Sequence, residues 1–173
     1  MFKNLFFTLS IFFLSFNGSI ADEKISYVDI DYILSNSFAG KSLLKNLKKE
    51  EKLIIDEFLI RDNEFKEKEK RILAKKNLIT EKEINKEFKS LQIEFENYRK
   101  NKIKEIDKLK SKRKRNILNF INLINPIIEK YMLDNSIEIL LDKKNVFIAS
   151  KDYDITKNLI ELIDNQIKTL EIK

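Results

Sequence analysis

The chain has 173 residues, of which 34 are Lys or Arg and 28 are Asp or Glu, and it contains neither cysteine nor histidine. The absence of cysteine excludes disulfides and thiol chemistry, and the joint absence removes the commonest zinc ligands and the usual bases of nucleophilic triads. With only two glycines and one proline, a loop-rich or all-β fold is hard to build. The composition therefore favours a mainly helical, elongated chain without covalent or metal cross-links.

The first 21 residues have the pattern of a secretion signal. Lys3 gives the N-terminal region a positive charge, and Leu5 to Phe16 is an apolar stretch. Ser19-Ile20-Ala21 then fits the small residues of a signal-peptide cleavage site. We therefore predict that the signal is cleaved between Ala21 and Asp22, so that the mature chain is exported. The alternative is an uncleaved membrane anchor, which needs about 20 apolar residues, several more than this stretch has.

A short strand and a brief helix are expected next. Residues 24–29 are rich in β-branched and aromatic side chains, which is typical of a strand, and residues 31–36 read as the helix. Gly40 then marks a bend. From Lys41 to Asn125 the chain runs 85 residues without glycine or proline, and apolar residues recur every three or four positions. This spacing predicts a very long helix or helical hairpin.

The pattern of the long element breaks near residues 75–80. Thr80 and Glu83 have the spacing of a capping box, which would start a new helix. We therefore predict an antiparallel, coiled-coil-like hairpin arm with its tip at this position. The apolar seam of the outgoing limb thins towards the tip, where Arg61 and Lys68 replace apolar residues, and the outer arm is expected to be the more flexible part.

The return limb changes character before it ends. Residues 117–128 are apolar on most faces, which predicts burial by several neighbours. Pro126 lies among them and should kink the helix or reset its path, so we place the junction of arm and body there. Ile137 to Leu141 and Val146 to Ala149 are then predicted to form a β-hairpin around the turn Lys143-Lys144-Asn145.

The two ends of the chain are expected to combine into one small α+β body. It comprises residues 22–40 and 126–173 and closes with a helix capped by Asp154, while residues 41–125 form the inserted arm. The fold class is thus mainly α with a small β-sheet. The candidate apolar residues of the body, and of a contact between subunits, are Ile25, Val28, Ile137, Ile139, Leu141, Val146 and Ile148.

Two features superficially resemble enzyme chemistry. Gly40-Lys41-Ser42 follows a strand and opens a helix, as in a phosphate-binding loop, but that motif needs a second glycine where Ser35 stands. Carboxylate pairs such as Glu81 and Glu83, or Glu50 beside Glu51, lie among lysines on an expected exposed face, whereas acid-base catalysis needs a shielded pocket. We therefore expect a non-enzyme with no catalytic residues, cofactor or metal.

Charge is unevenly distributed along the chain. Residues 41–115 contain 25 basic and 15 acidic residues, whereas the segments on either side, within residues 22–173, are slightly acidic. The densest basic run consists of Arg99, Lys100, Lys102, Lys104, Lys108, Lys110, Lys112, Arg113, Lys114 and Arg115. It is either a solvated helix face or a surface for an acidic polypeptide, anionic lipid or nucleic acid. Nucleic acid is the weakest of these, because the chain is exported and stacking aromatics are not interleaved with the run.

The order of these parts resembles the Skp, or OmpH-like, family of periplasmic chaperones. The resemblance rests on the signal, the opening residues 24–29, the predicted hairpin of residues 137–149, and Asp154-Ile155-Thr156 before the last helix. It covers essentially the whole mature chain, although the arms match in pattern rather than in identity.

The resemblance implies a homotrimer in the Gram-negative periplasm, in which strands and terminal helices form a shared base and three arms enclose a cavity. It also implies a holdase that binds unfolded outer-membrane proteins without ATP, with lipopolysaccharide or another anionic lipid as a further partner. Two other functions stay open. One is an envelope adaptor that tethers components without protecting clients, and the other is a protein that binds lipid or nucleic acid through the basic arm.

Overall fold

The structure, a computed structural model, describes residues 24–169. In chain order the elements are strand β1 (Lys24–Val28), helix α1 (Ile30–Asn36), helix α2 (Phe38–Ala74), helix α3 (Glu81–Asp134), strand β2 (Ile137–Asp142) and helix α4 (Thr156–Gln166). The mainly α fold with a small sheet is therefore confirmed. The predicted signal, with its cleavage position between Ala21 and Asp22, lies outside the described residues.

Helices α2 and α3 run antiparallel and form the arm. With 37 and 54 residues, they span roughly 55 and 80 Å at about 1.5 Å per residue. The turn between them occupies residues 75–80, and the predicted capping box is present there: the Thr80 hydroxyl accepts from the Glu83 backbone N–H at 3.3 Å, and the Glu83 carboxylate accepts from the Thr80 N–H at 2.9 Å. Local sequence thus sets where the chain reverses.

Proline does not end the return helix. Helix α3 continues through Pro126 to Asp134, and the apolar residues around the proline are the part of α3 that enters the body. Phe120, Ile124, Ile127 and Ile128 are all buried there. The burial expected for this segment is therefore observed on one face only, since Leu118 and Leu123 are 48% and 41% exposed.

The core of the body packs these residues against the other elements. The buried residues that complete it are Val28, Ile33, Leu34, Ala39, Leu43, Leu47, Ile137, Ile155, Leu159 and Ile163. Ser37 ends α1 and caps α2, because its side chain accepts from the Gly40 N–H at 3.1 Å. The N-cap of α4 is Ile155, which forms no side-chain cap hydrogen bond, rather than Asp154 as expected; Asp154 accepts from the Thr156 N–H at 3.0 Å just before the helix.

Gly40 is required by close packing. A Cβ at this position would lie 2.1 Å from the carbonyl oxygen of Leu34, far inside van der Waals contact. The glycine therefore lets the first turn of α2 pass directly over the end of α1. This gives the Gly40-Lys41-Ser42 segment a structural explanation in place of a phosphate-binding one.

The predicted β-hairpin of residues 137–149 is wrong. Strand β2 instead pairs in parallel with the distant β1, with Ile25 opposite Ile139 and Tyr27 opposite Leu141, and residues 146–149 belong to no strand. These two strands form the sheet of the described residues, while Tyr27 also forms an isolated bridge with Asp154.

Local contacts explain why the chain does not fold back on β2. Asp142 accepts from the Lys144 N–H at 3.1 Å and so caps a 3-10 turn. The side chains of Lys143 and Lys144 then pair with Asp29 at 3.3 Å and Asp31 at 2.9 Å. These contacts direct the chain towards the start of α1.

None of the helices within residues 24–169 is long and apolar enough to cross a membrane.

Candidate functional site

The two limbs of the arm are joined by ion pairs whose polarity reverses along the arm. Near the body α2 supplies the acid, since Glu50 pairs with Lys112 at 2.7 Å and Asp62 pairs with Lys102 at 2.7 Å. Near the tip the bases come from the end of α2 and from the turn that follows it. The two pairs there are Lys68 with Glu94 at 2.6 Å and Lys75 with Glu87 at 2.9 Å.

The central cross-link, which we call the clasp, consists of Asp62, Tyr98 and Lys102. The Tyr98 hydroxyl lies 2.7 Å from one carboxylate oxygen of Asp62, to which it donates, and 3.1 Å from the carbonyl oxygen of Phe58. Lys102 donates to the other carboxylate oxygen at 2.7 Å. The clasp thus uses both oxygens of one carboxylate to tie the limbs together.

These contacts change the pKa values of all three groups. The hydrogen bond from Lys102, followed by that from Tyr98, holds the pKa of Asp62 below its usual value. Desolvation, and then the bond to Asp62, raises the pKa of the Tyr98 hydroxyl. The bond to Asp62 also raises the pKa of Lys102. At neutral pH, Asp62 and Lys102 are therefore charged, and the Tyr98 hydroxyl keeps the proton that it donates.

An aromatic cluster surrounds the clasp. The ring of Phe65 lies 5.2 Å from that of Phe95 and 5.1 Å from that of Tyr98, and Phe58 lies 6.5 Å from Tyr98. The ammonium of Lys102 lies 5.2 Å from the centre of the Phe58 ring, within the range of a cation–π contact. Aromatic and charged contacts thus hold the middle of the arm together.

The crevice between the limbs contains two grooves that meet at the clasp, since Asp62, Lys102 and Ile106 line both. The distal groove, towards the tip, has a volume of about 790 Å³. Its apolar lining residues are Phe65, Phe88, Leu91, Phe95, Ile103 and Ile106. The proximal groove, towards the body, is smaller at about 360 Å³. The distal groove is within the size range of small-ligand sites.

The ten residues of the basic run do not form one surface. Lys102 and Lys112 are half-buried and pair with acids of α2, and Arg113 lies 4.0 Å from Glu51. Lys108 and Lys110 pair with acids of their own helix. The members that are exposed and form no ion pair with a described residue are Arg99, Lys100, Lys104, Lys114 and Arg115. A role in contacting a client or an anion stays a prediction for this run.

The body presents an apolar surface, which we call the sheet face: Ile25, Ile139 and Leu141. Their side chains are 41 to 43% exposed, and the chain continues past them to Ile148, which is 85% exposed. Val146, half-buried, lies between these parts and lines the same hollow as Ile25 and Leu141. Of the seven predicted body residues, only Val28 and Ile137 lie in the core of the single subunit.

Comparison with known proteins identifies the family. The family model described as "Outer membrane protein (OmpH-like)" matches residues 24–163. The chain belongs to the OmpH-like family. No curated protein sequence matches it. A crystal structure from Caulobacter crescentus CB15, of a protein described as an OmpH-like outer membrane chaperone, is 19% identical, with a TM-score of 0.76 over 85% of this chain and 87% of that one. The OmpH-like fold of the chain is thereby established.

The arm of this OmpH-like chain contains functional candidates that the sequence pattern alone does not single out. Phe58, Phe65, Phe95 and Tyr98 follow the helical spacing of the limbs, but nothing in that spacing shows that a groove opens beside them. The sequence feature that could have pointed to this groove is the concentration of aromatic residues in the middle of both limbs. Asp62, the centre of the clasp, was not predicted, because its partners lie 36 and 40 residues away.

No group of three or more Asp or Glu side chains within residues 24–169 is placed to hold a metal ion. The absence of metal, cofactor and catalytic chemistry stays a prediction.

Proposed function

We propose that this OmpH-like chain is an ATP-independent periplasmic holdase. It binds unfolded outer-membrane proteins and prevents their aggregation during transport to the outer membrane. The observation that carries the proposal is the dispersal of exposed apolar side chains along a highly charged arm. They include Leu53, Leu73, Leu78, Ile93 and Ile103. Many weak contacts of this kind retain an unfolded chain yet release it without nucleotide hydrolysis.

The structural relative supports the same function. The Caulobacter protein is described as an outer membrane chaperone and has the same fold along most of both chains. The export signal expected at residues 1–21 agrees with a periplasmic location, where ATP is not at hand to drive release.

Self-association as a homotrimer is part of the proposal. The sheet face leaves Ile25, Ile139 and Leu141 exposed beside Phe147 and Ile148, and burying this surface against other copies would stabilise the small body. A three-fold base places three arms around one space, in which a client is contacted from several sides.

Electrostatics contributes to capture. The five exposed cations that form no ion pair with a described residue lie along one stretch of α3 between Arg99 and Arg115. They attract acidic segments of the client, and also the phosphates of lipopolysaccharide or another anionic lipid, while nucleic acid is not an expected partner. Because exposed charges are screened within about 8 Å at physiological ionic strength, capture is expected to weaken as salt rises.

The proposal is tested by native mass spectrometry and light scattering of the mature chain, residues 22–173. A urea-unfolded outer-membrane barrel is diluted into the protein without ATP. We expect three chains alone, three chains plus one barrel after mixing, and suppressed scattering that weakens as salt is raised.

Other results would point to other functions. A monomer or dimer that leaves the barrel to precipitate would replace the holdase by an envelope adaptor. Binding to anionic vesicles without any protection of the barrel would instead make the arm a lipid-binding element. Client affinity that is independent of salt would remove the electrostatic part of the proposal alone.

A further inference from the structure

The distal groove is an apolar surface that the chain leaves open. Phe65 is buried at its floor, whereas Phe95 is 39% and Ile103 is 57% exposed. A hairpin whose only task was to be rigid would close its limbs over these side chains, since each buried apolar side chain stabilises the fold by roughly 1.5 to 3 kcal/mol. The open groove therefore holds apolar surface ready for a partner.

The charged residues of the groove favour a partner with carboxylates. Lys66 and Arg99 line it, and neither forms an ion pair with a described residue. Asp62 is neutralised by Lys102 within the clasp, which leaves Glu69 as the lining acid that forms no ion pair with another described residue. The groove thus combines aromatic walls with a net positive edge.

The clasp lies where the distal groove meets the proximal one. Asp62, Lys102 and Ile106 line both grooves, and three hydrogen bonds of the clasp cross between the limbs at this point. The volume of about 790 Å³ fits a few side chains rather than a folded domain.

We propose that the distal groove binds an extended segment of an unfolded client, with aromatic side chains against Phe65, Phe95 and Ile103 and flanking carboxylates at Lys66 and Arg99. The proposal rests on the holdase function and specifies where on the arm the client docks. An extended segment of an outer-membrane barrel suits the groove, because such strands alternate apolar and polar residues and carry aromatic girdles. Successive residues would then point alternately into the groove and towards its charged edge.

A matched pair of substitutions tests this placement. Ile103 lines the groove and is 57% exposed, whereas Ile60 lies on the other limb, lines neither groove and is 61% exposed. The variants Ile103→Gln and Ile60→Gln therefore make the same chemical change at equal exposure, and neither should unfold the arm. The probe is a short fluorescent peptide in which aromatic and glutamate residues alternate.

The expected result is a difference between the two variants in the full mature protein. Fluorescence anisotropy should show about fivefold weaker peptide binding for Ile103→Gln and less than about twofold for Ile60→Gln, since only the first removes apolar contact area from the occupant. In the unmodified protein, replacing the glutamates of the peptide with lysine should weaken binding by a similar factor.

Three outcomes would overturn the proposal while leaving the holdase function intact, provided that the unmodified protein still keeps an unfolded barrel soluble. In the first, the two variants bind the peptide with equal affinity. In the second, Ile103→Gln loses binding to anionic vesicles while its peptide affinity is unchanged, which would make the groove a lipid site. In the third, the assembly mass of Ile103→Gln changes, which would place a second copy of the chain in the groove. If the unmodified protein neither binds the peptide nor protects the barrel, both proposals fail together.

Discussion

Gly40 shows how one residue position can be fixed by backbone packing alone. Its α-carbon lies against the backbone of Leu34, where a methyl group would come within 2.1 Å of an oxygen atom. The neighbouring Lys41 is exposed. The glycine is therefore a requirement of the α1–α2 corner, and the lysine beside it has no part in that corner.

We predict that Gly40→Ala lowers the free energy of unfolding by about 1 to 3 kcal/mol, the usual cost of forcing extra volume into a packed site. Thermal denaturation followed by circular dichroism measures the change. Lys41→Ala, one residue further on, should alter it by less than about 0.5 kcal/mol. Equal stability of Gly40→Ala and the unmodified protein would show that the corner can relax.

Asp62 makes a pH-dependent contribution to the arm. Its pKa is lowered in the folded state, first by Lys102 and then by Tyr98, relative to about 3.9 in an unfolded chain. The stabilisation from its charged form is therefore present above about pH 4 and is lost as the pH falls through the folded-state pKa. The raised pKa of Lys102 gives the opposite sign, so its contribution is complete below about pH 10 and is lost as the pH rises beyond that value.

The variant Asp62→Asn should therefore melt at a lower temperature than the unmodified protein at pH 7, and the difference should shrink towards pH 2. Melting curves at several pH values measure it. Asp107→Asn is the matched control, because Asp107 is exposed and its lysine partner is 3.7 Å away. A melting difference that stays constant from pH 7 to pH 2 would contradict the assignment of the charge to the clasp.

At the level of helices, the inter-limb ion pairs differ from those along a single helix. Glu50 and Lys112 are each only 29% exposed, and the second carboxylate oxygen of Glu50 is buried and has no hydrogen-bond partner among residues 24–169. Lys52 and Asp56, one turn apart on α2, are much more exposed. Solvent screening is therefore weaker for the pair that joins the limbs.

A double-mutant cycle with Glu50→Gln and Lys112→Met should give a coupling energy of roughly 1 kcal/mol, against about 0.3 to 0.5 kcal/mol for the corresponding cycle at Lys52 and Asp56. Urea denaturation supplies the free energies. Equal coupling in the two cycles would mean that the inter-limb pair is no more than a surface contact.

The elements that could be predicted from sequence are those fixed by neighbours in the chain. The Thr80–Glu83 capping box and the Asp154 contact at α4 act over two or three residues, and both are present. The hairpin after Ile137 failed because alternation indicates a strand but does not choose its partner, and β2 pairs with β1 from the opposite end of the chain. The basic run could be counted, but which lysines face Glu50 or Asp62 depends on the register of the two limbs.

On the scale of the whole molecule, the sheet face connects the single chain to its proposed assembly. Leu141 is 41% exposed on the body, and Leu73 is 52% exposed at the far end of the arm. A charge placed at Leu141 would be buried when the subunits associate, whereas a charge placed at Leu73 would stay in contact with water.

We therefore predict that Leu141→Asp reduces the assembled protein to smaller species, while Leu73→Asp leaves its mass unchanged. Sedimentation velocity of both variants measures this difference. Circular dichroism checks that each variant retains its helices. Unchanged assembly of Leu141→Asp would place the contact between subunits elsewhere on the body.

The spacing of the inter-limb contacts along the chain implies an order of folding. Starting at the tip, the paired residues are separated by 12, 26, 40 and then 62 positions. Once one pair forms, the next closes only a small additional loop, so the entropy lost at each step is small. The contact of Asp29 with Thr156 spans 127 residues, and closing it directly would be slow. We therefore expect the arm to form from its tip inwards and so to bring the two ends of the chain together before the body closes.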